Sequence, residues 1–542
     1  MGKNLTKLAA ESQTAPPAGK KVAALSMGAM AIMIVTNIVS MRGMASQAEY
    51  GYGSIFYYVF AALVFLVPYA LVCAELASTY TRSGGLFRWC AEAFGPKWGW
   101  VAMYLEWQMV VIWFPAVLMF AAVSLAFIFW PETFDVHLAK NVIYTLIVVL
   151  AVYWVATFVT FKGQKYANRL STFGGLTGTI IPAIILMALG LIYWLCGHTI
   201  YIPTNQSFFP DFADFSDIVL AASIFLFYAG MEMQAVHVPS MVNPSKNFPK
   251  ACFISVVAIL CIFVFCTLAI GAAVPEKDIN LLQSLLVAYN KLWASLGVPW
   301  LGNVMALLIT VGALAQVTVV ISAPSTGILA VGRAGFLPRG LQKVNKNGIQ
   351  VPILWVQGIF VTVLALVLVV MPSVESAYQV LSQMSTVLYL IMVVIIYGAF
   401  LRLRRTEPNA KRGFKVPCGN AGKWVVFLLG VAGALLALVI SFVPPAQITT
   451  GSPVTYVGII LIGVCVFVAF PFIVYAKRKS SWRDSDNDFY PFNWEIEGRR
   501  PDEVSKWEAG YQPTEAEIEK AMEEGIADDA PPRTKKDIGR LF

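Results

Sequence analysis

The residues able to do chemistry are few, and they stand out because they interrupt long apolar runs. Arg42 and Glu49 lie near the end of one run, Glu75 near the end of the next, Glu106 inside a third, and Glu232 and His237 inside a later one. A charge in mid-bilayer costs at least about 2.5 kcal/mol, so each of these groups is a functional candidate by default. Two runs share a second feature. Ser40-Met41-Arg42-Gly43, preceded by Thr36-Asn37, and Tyr228-Ala229-Gly230-Met231-Glu232 each set a glycine among polar neighbours in an otherwise apolar stretch. A helix broken there exposes N–H groups that attract a carboxylate and C=O groups that accept an ammonium. An α-amino acid carries both groups on one carbon, which favours it over a sugar or an inorganic ion. Close helix packing is the competing explanation for either glycine alone. The matched positions favour function.

Each charged group carries two readings. Arg42 either grips a substrate side-chain carboxylate with both arms, or snorkels to the outer interface and pairs with Glu49. Glu232 is either a proton-linked gate, because removal from water favours a neutral carboxyl, or a polar residue that bonds backbone freed at Gly230. An ionised Glu232 would repel an anionic substrate. His237 is either a second proton-linked group or a packed histidine, and Glu75 and Glu106 read as structural or vestibule residues. Among the tryptophans, Trp107 and Trp113 are candidates to line a path, against the plainer reading of packing. The eight cysteines are scattered, with no zinc-ligand spacing and no disulfide framework. Nothing in the chain has the spacing of a nucleophile–base pair, a metal cluster or a phosphate loop. No enzymatic activity and no cofactor are expected. A sodium site built from Thr172, Ser322 and Ser325 remains open.

The elements that must position these groups follow from composition. The chain is 542 residues long, 58% hydrophobic and only 13% charged, where soluble domains run near a quarter charged. Apolar segments of about 20 residues recur, the length of a membrane-crossing helix. Twelve spans are predicted, at 22–49, 54–80, 98–129, 141–161, 170–195, 217–241, 251–273, 304–331, 352–371, 377–401, 424–442 and 456–475. The stretch 279–293 is too short and polar to cross, and is expected on the surface between spans seven and eight. With the N-terminus inside, nineteen lysines and arginines fall in the inner loops and three in the outer ones (Lys140, Lys277 and Lys291). That bias sets both termini in the cytoplasm. The expected organisation is a cytoplasmic N-terminal tail (1–21), a transmembrane domain (22–476) and a cytoplasmic C-terminal tail (477–542). In the last, Thr514 and Glu517 have capping-box spacing ahead of a short helix at 515–524. The tail is either a solvated segment or a lid over the inner mouth.

Many stretches together resemble a known family. They are Ala74-Glu75-Leu76-Ala77-Ser78, Ser83-Gly84-Gly85-Leu86-Phe87-Arg88-Trp89, Ala93-Phe94-Gly95-Pro96-Lys97-Trp98-Gly99, Tyr228 to Glu232, His237, and Asn243-Pro244 with Pro249. Val344-Asn345-Lys346-Asn347-Gly348, Lys411-Arg412 with Pro417, and Ser441-Phe442-Val443-Pro444-Pro445 extend the match. Over residues 22–475 the chain resembles the amino acid–polyamine–organocation transporters, and within them the bacterial glutamate/γ-aminobutyrate antiporters. The resemblance implies an all-α polytopic membrane protein of 12 transmembrane helices, made of two inverted five-helix repeats with broken helices 1 and 6 plus two extra helices. It implies exchange without ATP at the inner membrane, with glutamate or a related amino acid traded for γ-aminobutyrate or another amine. Ser40, Met41, Arg42, Gly43, Tyr228, Gly230 and Glu232 would hold the substrate, and Trp107, Gln108 and Gln316 would line the path beside Glu106. Partners are then small amino acids and the lipid bilayer, with no nucleic acid. A proton-coupled importer and a transporter-like ligand sensor are the other readings. Three features depart from the family pattern: Arg42 in the first break, Ser240 where relatives tend to carry an acid, and a tail without histidine, which removes a histidine-based acid sensor.

Overall fold

Backbone in lipid has no water to bond, so each span must satisfy its own N–H and C=O groups, and this chain does so with helices. The computed structural model describes residues 25–80, 85–129, 138–163, 174–202, 208–209, 219–234, 238, 241–408, 410, 412–445 and 452–482. Among them there is no β-strand, only one parallel bridge between Leu25 and Met241. The protein is an all-α polytopic membrane protein.

The first span is two helices, α1 (Met27–Ile38) and α2 (Arg42–Ala48), bent by 59° at their junction. There follow α3 (Gly53–Thr79), α4 (Gly85–Phe94), α5 (Pro96–Phe129), α6 (Val142–Thr160), α7 (Leu176–Leu195) and α8 (Val219–Phe227). The second half comprises α9 (Pro244–Ala273), α10 (Ser284–Ser295), α11 (Trp300–Val331), α12 (Val351–Val370), α13 (Val374–Thr406), α14 (Gly419–Ile440) and α15 (Pro453–Ala476). Ten of the described helices are long and apolar enough to cross a membrane, and the bent pair makes an eleventh. The expected sixth span is described as α8, whose nine residues stop at the second predicted break.

Two long helices, α5 and α13, form the centre of the bundle and are buried along most of their length. Ser373 caps α13, its side chain and that of Ser376 each accepting from the other's backbone N–H. Helices on the outside turn apolar side chains outward. Ile143, Ile147 and Val155 on α6, and Val454 and Ile462 on α15, are at least 61% exposed. Such a surface is compatible with lipid and not with water. Small residues let α7 and α11 touch backbone to backbone: a Cβ on Gly178 would lie 2.1 Å from the Cα of Gly312.

Two loop segments differ from expectation. The stretch 279–293 does not lie on the surface. It enters α10, and Leu281, Leu285, Tyr289 and Leu292 bury against the bundle. Their spacing of three to four residues is an apolar helical stripe, too short to cross but well able to dock. The loop after α3 contains the buried helix α4, with an Arg88–Glu92 ion pair at 3.1 Å.

At the end of α3 a carboxylate gathers two arginines. Glu75 pairs with Arg404 at 2.6 Å and Arg412 at 3.0 Å, and accepts the Val416 backbone N–H at 2.8 Å. Ser78 accepts the Phe414 N–H at 3.0 Å. The segment between α13 and α14 is thereby fastened to α3, which makes Glu75 structural.

Candidate functional site

Both predicted breaks are present. After α1, Val39 is extended, and its N–H closes the last helical bond to Val35. The chain resumes at α2 only after Ser40 and Met41. After α8, Tyr228 and Ala229 complete the last turn, and Gly230 takes a φ of +110°, a conformation that side chains disfavour. The two breaks meet. Asn37 donates to the Gly230 carbonyl at 3.2 Å, and a Cβ on Gly230 would come within 2.6 Å of the same amide nitrogen. A glycine is required there by both backbone angle and space.

Beside this junction lies a small cavity of about 50 Å³. Helix one contributes Asn37, Ser40 and Arg42; α5 contributes Met109 and Trp113; α8 and its break contribute Phe227 and Gly230; α11 contributes Gln316. Polar groups are few and converge on an otherwise apolar wall, the usual form of a small-molecule site.

Among the described residues Arg42 is the only ionisable one on this wall, and it is 2% exposed. Its guanidinium carbon sits 5.5 Å from the Trp113 ring centroid and 5.7 Å from that of Tyr378. One terminal nitrogen donates to the Tyr378 hydroxyl at 3.4 Å, and Nε has no partner among the described residues. Among the described residues no carboxylate pairs with Arg42. Neither half of the interface reading holds: the side chain does not snorkel, and Glu49 lies instead on a separate open pocket with Tyr201, Glu276 and Lys277. Each aromatic contact is worth about 0.5–2 kcal/mol. Burying a guanidinium costs several kcal/mol even after relaxation. The cage alone does not offset that cost, so the site is complementary to an anion.

Of the residues singled out in the sequence, the structure brings Asn37, Ser40, Arg42, Trp113, Ala229, Gly230 and Gln316 to this cavity. The others sit off its wall. Met41 is buried, and Gly43 lies against the Phe227 ring, 2.6 Å from where a Cβ would be. Tyr228 donates to the Tyr58 carbonyl at 3.1 Å. Trp107 donates to Gln357 at 2.8 Å, which makes it a link between α5 and α12. Gln108 accepts from Tyr104 at 3.3 Å. Glu232 is 1% exposed and accepts from the Tyr389 hydroxyl at 3.4 Å. His237, Ser240, Thr172, the Ser322 side chain, the 515–524 helix and both terminal tails up to 24 and beyond 482 lie outside the described residues. Among the described residues no group of three or more metal-ligating side chains converges. The Ser325 hydroxyl donates to the Ile321 carbonyl at 2.9 Å.

Trp113 was expected only as a candidate to line a path and Tyr378 was not singled out, yet both hold Arg42. Their signal was available only indirectly, as an aromatic and a polar residue facing inward on the two most buried helices.

Comparison with known proteins decides the family. The model of the amino acid permease family matches residues 20–465. The chain belongs to the amino acid permease family. This permease is 33% identical to an uncharacterized transporter of Legionella pneumophila over 85% of its own length and 97% of the relative's. It is 29% identical to a glutamate/γ-aminobutyrate antiporter of Lactococcus lactis, over 80% of this chain and 86% of the relative. A probable agmatine/putrescine antiporter of the same species is 23% identical over 85% of the permease and 96% of the relative. The permease is therefore a carrier of amino acids and not an enzyme.

Proposed function

We propose that this permease is an inner-membrane antiporter that exchanges glutamate, or a closely related acidic amino acid, for γ-aminobutyrate or another decarboxylation product. The observation that carries the reading is Arg42, a buried guanidinium on the cavity wall with no carboxylate partner among the described residues. A substrate carboxylate supplies the missing counter-charge as a charge-assisted, two-armed hydrogen bond. Decarboxylation of glutamate removes the α-carboxyl and leaves the side-chain carboxyl in γ-aminobutyrate. One arginine therefore serves both substrates through the group they share. The similarity to a glutamate/γ-aminobutyrate antiporter supports the same pair.

Glutamate carries one more negative charge than γ-aminobutyrate, so the exchange moves net charge unless a proton travels with it. Glu232, packed near the cavity but off its wall, is the group we assign to that proton. Two inverted five-helix repeats would carry helix one and helix six through opposite tilts around the cavity, with both termini in the cytoplasm.

Purified permease in liposomes tests the reading. Uptake of labelled glutamate should require preloaded γ-aminobutyrate or glutamate. Equal uptake into empty and loaded vesicles rejects exchange, and binding without flux identifies a sensor.

A further inference from the structure

Helix α13 carries a polar face that the substrate cavity does not use. Glu375, Tyr378, Gln379, Ser382, Gln383, Ser385, Thr386 and Tyr389 recur at spacings of three and four, so they share one side of the helix. Apolar residues such as Ala377, Leu381 and Leu388 fill the opposite side. The two ends of this face are occupied. Tyr378 accepts from Arg42, and Tyr389 donates to Glu232. Eleven residues separate the tyrosines, a rise of about 16 Å along the helix.

The middle of the face is not satisfied by any described residue. Among the described residues the Ser382 hydroxyl has no partner, nor does either end of the Gln383 carboxamide, and the two residues are 2% and 0% exposed. Neighbouring hydroxyls are already committed. Ser385 donates to the Met109 carbonyl at 2.9 Å, and Thr386 to the Ser382 carbonyl at 2.7 Å. A buried polar group left without a hydrogen bond costs about 1–3 kcal/mol. Natural proteins meet such groups with bound water that has two to four polar partners. Tyrosine and serine hydroxyls, which both donate and accept, are also the side chains that hand a proton from one water to the next.

We propose that a file of bound water runs along the polar face of α13, from the Arg42–Tyr378 contact past Ser382 and Gln383 to Tyr389, and that it conducts protons between the substrate cavity and Glu232. Among the described residues Glu232 is otherwise enclosed: Tyr69 and Cys73 face it from α3, Glu106 from α5 and Tyr389 from α13. All of these are buried, so a proton reaching Glu232 needs a route, and α13 supplies one that begins at the residue holding the substrate. The inference rests on Glu232 being the proton-linked group.

The test is the double variant Ser382→Ala with Gln383→Leu. Alanine and leucine keep nearly the volume of serine and glutamine, and volume-conserving changes are tolerated best, so the variant is expected to fold. The readout is deuteration of the Glu232 carboxyl, identified by infrared as the C=O band that Glu232→Gln removes. On transfer to heavy water the band should shift several-fold more slowly in the double variant than in the parent. Glutamate binding at fixed pH should be unchanged, since neither residue lines the cavity. Equal deuteration rates in the two proteins overturn the water file while leaving Glu232 as the proton site. A Glu232→Gln protein whose transport keeps the parental pH profile overturns both. A second measurement uses a pH-sensitive dye trapped in the vesicles: proton uptake during glutamate/γ-aminobutyrate exchange should slow in the double variant, and uptake at the parental rate is the contrary result.

Discussion

Truncating Arg42 to alanine takes a positive charge out of the cavity and leaves Trp113 and Tyr378 facing open space. The loss should fall on acidic substrates, by about 1.5–3 kcal/mol, the worth of a hydrogen bond to a charged group. Counterflow with glutamate and with a neutral amino acid reads the difference; equal losses would move Arg42 out of the side-chain pocket. Lysine at this position keeps the charge but not the planar fork, so glutamate affinity should recover only in part. Gly230→Ala meets two obstacles, a φ of +110° and the Asn37 amide 2.6 Å away. Strain of this kind costs about 1–3 kcal/mol, and the variant should exchange poorly even where it reaches the membrane. At this scale the sequence was informative where chemistry is unusual for lipid. Arg42 and the two glycines declared themselves. Tyr378 did not, and Trp113 only as one of two candidates to line a path, because an aromatic residue in a buried helix looks the same whether it packs or cradles a cation. Trp107, six positions before Trp113, faces α12, and only the packing of distant helices separates the two.

Most helices were legible to within a few residues, as at 54–80 against Gly53–Thr79, while α9 begins seven residues before the expected 251. Segments whose role depends on a partner were harder. The 279–293 stretch lacks the length to cross, and length alone does not reveal that α10 docks through Leu285 and Tyr289. The buried α4 hides in a loop rich in glycine and charge. The contact of Gly178 with Gly312 yields a prediction for elements. Gly178→Ala pushes a methyl group into the backbone of α11, where no side chain can move aside. Overpacking costs about 1–3 kcal/mol when neighbours can shift. A clear drop in the melting temperature of detergent-solubilised protein is expected, and an unchanged value would mean that the two helices are not so closely apposed.

For the whole molecule, the distribution of basic residues predicts which face meets the cytoplasm. In a background without native cysteines, Lys140→Cys should react with an impermeant maleimide on intact cells, and Lys346→Cys only after the membrane is opened. Both side chains are exposed, so the reverse pattern would invert the topology. The Glu75 cluster has a consequence of another kind. A polar connection between two helices is ordinarily where a protease enters, and the segment after α13 carries a trypsin target in Arg412. Its guanidinium is occupied by Glu75 and by the carbonyls of Ala410, Leu403 and Glu407. Cleavage needs the peptide drawn out into an enzyme's cleft, which the anchored amides of Phe414 and Val416 resist. Trypsin should spare this bond in the native carrier, and Glu75→Gln, by releasing the knot, should make it the first to be cut.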